Sequence, residues 1–159
     1  MSATTNNQNP IFIKDALYAA PAGSTDFIGS GIGVVLTANT ALDGTGSIGS
    51  TLILFATIPS SGAVLNKIIL THLGTNIATV VRVFINNGSS VATASNNRLF
   101  KEYAIAANTI SQTATSVQIV DDFYDKGYRL AGGSVLYITT GTTIASGIQV
   151  QGFFDGLSN

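Results

Sequence analysis

The chain has no cysteine and no tryptophan, one histidine, one methionine, and only seven Lys or Arg beside eight acids in 159 residues. Each scarcity excludes something. Without cysteine there is no disulfide and no thiolate metal site, and the redox compartment is left open. Charged residues make up 9% of the chain, against about a quarter in an ordinary soluble domain. Most catalysis works through positioned groups that titrate, and few are present. The composition therefore reads as a non-enzymatic protein with no cofactor. A net charge of −1, with Lys14, Lys67, Arg82, Arg98, Lys101, Lys126 and Arg129 scattered along the chain, gives no phosphate-tracking stripe and argues against nucleic acid as a partner. Thr, Ser, Asn and Gly interrupt every apolar run before it reaches the ~18 residues of a membrane span. The opening MSATTNNQNP has neither the basic nor the apolar region of a secretory signal.

What is present is β structure. Along Thr79–Ile85, Val81, Val83 and Ile85 alternate with Val80, Arg82 and Phe84, and Ile148-Gln149-Val150-Gln151 alternates apolar with amide, as half-buried strands do. Similar runs lie at about 33–38, 50–58, 65–73, 98–106, 115–120 and 134–140. Asn86-Asn87-Gly88-Ser89, Gly132-Gly133 and Pro59-Ser60-Ser61-Gly62 separate them with turn chemistry. The one helical candidate, Lys14–Ala20, ends at Pro21. Seven or eight short strands joined by Gly-, Asn- and Ser-rich turns predict an all-β fold, an antiparallel jelly-roll-like β-sandwich. An open β-barrel is the competing architecture.

The chain divides at about residue 32. Residues 33–159 form the predicted β-sandwich domain. Residues 1–32 read as an extended N-terminal arm, in which Ile11-Phe12-Ile13 and Leu17-Tyr18 stand between polar, Gly-rich stretches. An apolar island of this kind cannot bury itself locally. Ile11, Phe12, Ile13, Leu17 and Tyr18 are therefore the candidate contacts to a neighbouring subunit or other partner; the alternative is a poorly ordered tail.

Candidates for chemistry are few. Gly29-x-Gly31-x-Gly33 lacks the following helix and the Lys-Ser/Thr pair of a phosphate loop and reads as a hinge. His72 has no second His or Cys to share a metal; a hydrogen-bonded structural role or a surface contact fits it better than a place in a hydrolase site. Asp121, Asp122 and Asp125 form the one acidic cluster. It could hold a hard cation, but its spacing is not that of an EF-hand and Lys126 partly neutralises it, so a solvated turn is the simpler reading. Tyr103, Tyr124, Tyr128 and Tyr137 could stack on sugars, which makes a glycan-binding module of a phage fibre or extracellular protein the alternative function.

Three phrases carry a resemblance: His72-Leu73-Gly74-Thr75-Asn76-Ile77-Ala78 running on through Thr79–Ser89, then Asn96-Asn97-Arg98-Leu99-Phe100-Lys101-Glu102, then Ala107-Asn108-Thr109-Ile110-Ser111. They resemble the capsid cement, or decoration, proteins of tailed bacteriophages, in particular those of freshwater cyanophage heads. The resemblance covers about residues 50–155 and rests on a turn-and-strand pattern, not on a catalytic signature. It implies a virion structural protein of jelly-roll type. Such a protein assembles as a homotrimer on the outer capsid surface, with the major capsid protein as partner, and clamps adjoining capsomers. It implies no active site, no cofactor and no metal.

Overall fold

The computed structural model describes residues 36–123 and 127–156. Eight strands follow in order: β1 (Ile53–Thr57), β2 (Ala63–His72), β3 (Thr79–Asn86), β4 (Asn97–Ile105), β5 (Gln118–Asp122), β6 (Tyr128–Leu130), β7 (Val135–Thr140) and β8 (Ile148–Gly156). Among the described residues the helical structure is one 3-10 turn, Ala94–Asn96. None of them forms a helix long and apolar enough to cross a membrane.

All the strand ladders are antiparallel and fall into two sheets. The first has the order β1-β7-β3-β4. In the second, β8 pairs with β2 from Ala63 to His72, so β5 and β6 must share the opposite edge of β2. They lie there end to end: Lys67 pairs with Asp122 and Leu65 with Tyr128. Between these pairs β2 has one residue, Asn66, where five residues, 123–127, separate β5 from β6, so β5 and β6 lie along one edge as a single interrupted strand. Counted so, every connection crosses from one sheet to the other except the β3–β4 hairpin, which is jelly-roll connectivity. No ladder joins the two sheets among the described residues, so the architecture is a sandwich and not the competing barrel.

Alternation decides what faces the core. Leu65, Ile68 and Leu70 from β2 and Ile148 and Val150 from β8 meet Phe55, Val81, Val83, Ile105, Leu136 and Ile138 from the first sheet, all buried. Burying each such side chain is worth about 1.5–3 kcal/mol, which is how strands as short as these are held. Bulges in β1, β2 and β4 shift the alternation locally. Phe84 pairs with Tyr137 and lies on the outward face of its sheet, yet it is buried. It is covered by the segment before β1. There Asn39 Nδ2 donates to the Thr45 carbonyl at 2.9 Å and Asn39 Oδ1 accepts from Ala41 N at 2.9 Å. Gly44, at φ +77°, passes so close that a Cβ would lie 2.6 Å from the Phe84 ring.

Several boundaries differ from the expectations. Of the run at 33–38, residues 36–38 form no strand; Leu36 makes an isolated bridge to Ile144. The run at 115–120 becomes a strand only at Gln118, and β8 continues five residues beyond 151. The three-residue β6 is too short to carry a periodic signal. The helical candidate 14–20, the Gly29–Gly33 hinge and the arm residues Ile11, Phe12, Ile13, Leu17 and Tyr18 lie outside the described residues.

Candidate functional site

Charge is sparse in the sequence and uneven in space. Among the described residues most of it collects along the edge formed by β4 and β5/β6. Arg98, Lys101 and Glu102 stand on β4, Asp121 and Asp122 on β5, and Arg129 on β6. Successive strand residues point to opposite faces, so the two carboxylates of β5 diverge. Asp122 takes Lys67 at 3.0 Å, and Asp121 takes Lys101 at 3.2 Å. Asp121 also accepts from the Tyr103 hydroxyl at 2.8 Å. Burial first, and then that carboxylate, push the phenol far above its ordinary pKa. Asp121 thereby ties the two sheets together where no ladder does. Beside it the Phe100 ring packs against Phe123 at 5.9 Å and Tyr128 at 4.5 Å, with Lys101 Nζ 4.9 Å from the Phe123 centroid. Arg82 and Glu102 make the third ion pair, at 2.7 Å across the β3–β4 ladder.

This arrangement answers two of the sequence readings. Asp121 and Asp122 belong to a paired strand rather than to a turn, each already has a lysine, and Asp125 lies outside the described residues. No group of three possible metal ligands occurs among the described residues. Of the four tyrosines considered for sugar stacking, Tyr103 and Tyr137 are buried, Tyr128 is exposed and Tyr124 lies outside the described residues.

One end of the sandwich is different. The loops 73–78, 106–117 and 141–147 meet there, and none contains a formal charge. Amides and main-chain groups hold them together. Asn76 and Asn108 exchange main-chain hydrogen bonds at 2.9 and 2.8 Å. Asn76 Nδ2 donates to the Gly147 carbonyl at 2.9 Å and its Oδ1 accepts from Ser146 N at 3.1 Å, while Ser146 Oγ donates to the Thr75 carbonyl. Thr142 closes on the start of β3 by donating twice: its N donates to Thr79 Oγ1 and its hydroxyl to the Ala78 carbonyl, both at 3.1 Å. Leu36 joins the third of these loops, its carbonyl accepting from Ile144 N at 3.0 Å.

Two features of this end bear on binding. Ile77 is 60% exposed and Ile110 39%. Next to them a groove of about 620 Å³ runs along the outward face of β3 and β4, lined by Ala78, Val80, Ala104, Ala106 and Gly141, with Arg82 at one margin. That volume lies within the ~300–1,000 Å³ range of binding clefts. Exposed Ile77 and Ile110 were not singled out from sequence, because isolated apolar residues in loops carry no periodic signal.

His72 closes β2 beneath this end. It is 1% exposed, and neither ring nitrogen has a hydrogen-bond partner. The expected hydrogen-bonded structural role is thus half right: the residue is buried, but among the described residues its ring has no hydrogen-bond partner, and none of their nucleophiles or carboxylates stands at bonding distance. Burial holds the imidazole pKa below its ordinary value. No family model, curated protein or solved structure matches the chain.

Proposed function

We propose that this chain is a virion structural protein, a capsid cement protein that binds the outer surface of a phage head as a homotrimer and stabilises it. The observation that carries the reading is the end formed by three charge-free loops with its exposed isoleucines; the adjoining groove carries one guanidinium, Arg82, which Glu102 already pairs. Such a surface packs against protein without desolvating ions, and its amides and hydroxyls keep it wettable when free. One edge of each sheet supports the same division of labour. β4 is bulged and charged, and β5/β6 is interrupted and charged, which are the devices that discourage strand-to-strand association. In this reading contact falls to the uncharged end, together with the arm residues Ile11, Phe12, Ile13, Leu17 and Tyr18.

The mechanism is thermodynamic. A protein that binds only the assembled shell stabilises it by mass action, and three linked subunits bind with an avidity well above that of one. Closed three-fold assembly satisfies the contact surface without open-ended growth. Sequence-derived resemblance to cement proteins supplies the shell as partner; the surface chemistry is compatible with it.

Light scattering on the full-length chain and on a chain lacking residues 1–30 tests the proposal. A trimer that loosens on removal of the arm is the expected result. A monomer in both overturns it. Glycan binding by that monomer would then establish the alternative, with Tyr128 on its Phe100 support as the stacking face.

A further inference from the structure

All the buried side-chain polar atoms that lack a hydrogen bond among the described residues are found on two strand ends: both ring nitrogens of His72 and the hydroxyls of Thr139 and Thr140. His72 ends β2 and Thr140 ends β7. The loops that follow them lie side by side, since Leu73 N donates to the Gly147 carbonyl and His72 pairs with Ile148. Thr139, level with Arg82, is on the outward face of its sheet, whereas His72 and Thr140 face the interior between the sheets. The charge-free end therefore rests on interior polar groups that are left unsatisfied, and one of them can take up a proton.

Nothing described around the imidazole would welcome that proton. On β2 the nearest charged residue is Lys67, a cation. On β5 the nearest inward carboxylate is Asp121, level with Ile68, roughly 13 Å along the strand at about 3.3 Å per residue. It is already taken by Tyr103 and Lys101. On β8 no charged residue occurs from Ile148 to Phe154. In the facing sheet the inward positions at this end are Val81, Ile105 and Thr140, none of them an acid or a base; the phenol of Tyr103 is directed to Asp121.

We propose that His72 is an acid-operated latch on the charge-free end: protonation places an unpaired cation in the core, and the loops 73–78, 106–117 and 141–147 open to hydrate it, which releases the partner held there. The release, though not the opening, rests on the reading of that end as a contact surface. A buried charge without a counter-ion is costly, and the loops are the part that can yield, since they are held by a few amide hydrogen bonds and not by strand ladders. The sign follows from which state binds the proton first. The unfolded or opened chain protonates near the ordinary value of 6.5 and the closed chain only at lower pH. Stability is therefore fully present above about pH 6.5 and is lost as pH falls from there towards the depressed value.

The test uses the full-length protein and the variants His72→Phe and His72→Gln, with denaturant unfolding and amide hydrogen exchange between pH 7.5 and 4.5. In the wild type the folding equilibrium constant should fall by up to about tenfold per pH unit below 6.5, with exchange rising first in the three loops. His72→Phe should flatten that dependence. Equal slopes in wild type and variant overturn the latch. If neither variant folds, the imidazole titration followed by NMR in the wild type decides: a midpoint well below 6.5 coupled to loop exchange supports it, and an ordinary midpoint overturns it. Light scattering over the same pH range separates the two ideas. Assembly lost in acid only when His72 is present supports release, whereas a monomer at pH 7.5 with an intact His72 effect overturns the contact reading and leaves the opening in place.

Discussion

The β4–β5/β6 edge and the loop end solve the same problem, holding two sheets together at their margins, by opposite chemistry. The edge uses Lys101–Asp121, Lys67–Asp122 and Arg82–Glu102 around an aromatic cluster. The end uses Asn76, Asn108, Ser146 and Thr142 with main-chain partners. Ion pairs that reach solvent are worth roughly 0–1 kcal/mol each and are screened by salt. A buried amide whose partners are left unsatisfied costs about 1–3 kcal/mol to remove. The region with most charge is therefore the more replaceable of the two, and the region with none is the more exacting. A surface meant to be covered by another protein has reason to be of the second kind, since no ion in it must lose hydration on contact.

The comparison can be broken most decisively by putting charge where there is none. Ile77→Asp combined with Ile110→Asp changes two exposed side chains, so the fold should survive. Trimer or capsid binding should weaken by about a hundredfold or more, as expected for burying unpaired charge; binding within a few-fold of wild type, measured by light scattering and co-sedimentation, would show that the end is not the contact surface. The reversal Arg98→Glu with Arg129→Glu is the matched control and should leave binding unchanged. Next in size, Asn76→Ala should lower unfolding stability by about 2–3 kcal/mol, equally at low and high salt, because the Gly147 carbonyl and Ser146 N–H both lose their partner. A loss below about 0.5 kcal/mol in denaturant titrations would mean that the loops do not depend on that clip. Smaller still, Tyr103→Phe should cost about 1 kcal/mol, since Asp121 keeps Lys101. At the bottom of the scale, Lys67→Ala should cost under about 1 kcal/mol, and the cost should shrink as salt rises. A larger, salt-independent loss there would erase the contrast between the two regions.

Much of the fold was legible because alternation is a local property. The alternation put Val81, Val83 and Ile85 on one face, and Val81 and Val83 are core residues; β3, β7 and the start of β8 fall where the pattern placed them. His72 continues the inward series Ile68, Leu70, so its burial was written in the same pattern, although its lack of a partner was not. Phe84 shows where alternation stops being informative: it marks an outward face but cannot reveal that the segment around Gly44 covers it. Asp121 and Asp122 show the same limit in another form. They looked like a turn because polar residues and a glycine follow them, whereas pairing with Lys67 and Ile68, more than fifty residues away, makes them a strand.

By itself the sequence determined the fold class and the two materials, apolar alternation for the interior and uncharged polar residues for much of the surface. These follow from side-chain chemistry and the two-residue period of a strand, which need no knowledge of distant partners. Only the tertiary structure decided that three uncharged loops, far apart in the chain, meet over one unsatisfied histidine while the charges gather on another edge. Alternation fixes the face a side chain takes but not the strand it lies beside. That choice is made by the requirement that both sheets bury their apolar faces against each other at once.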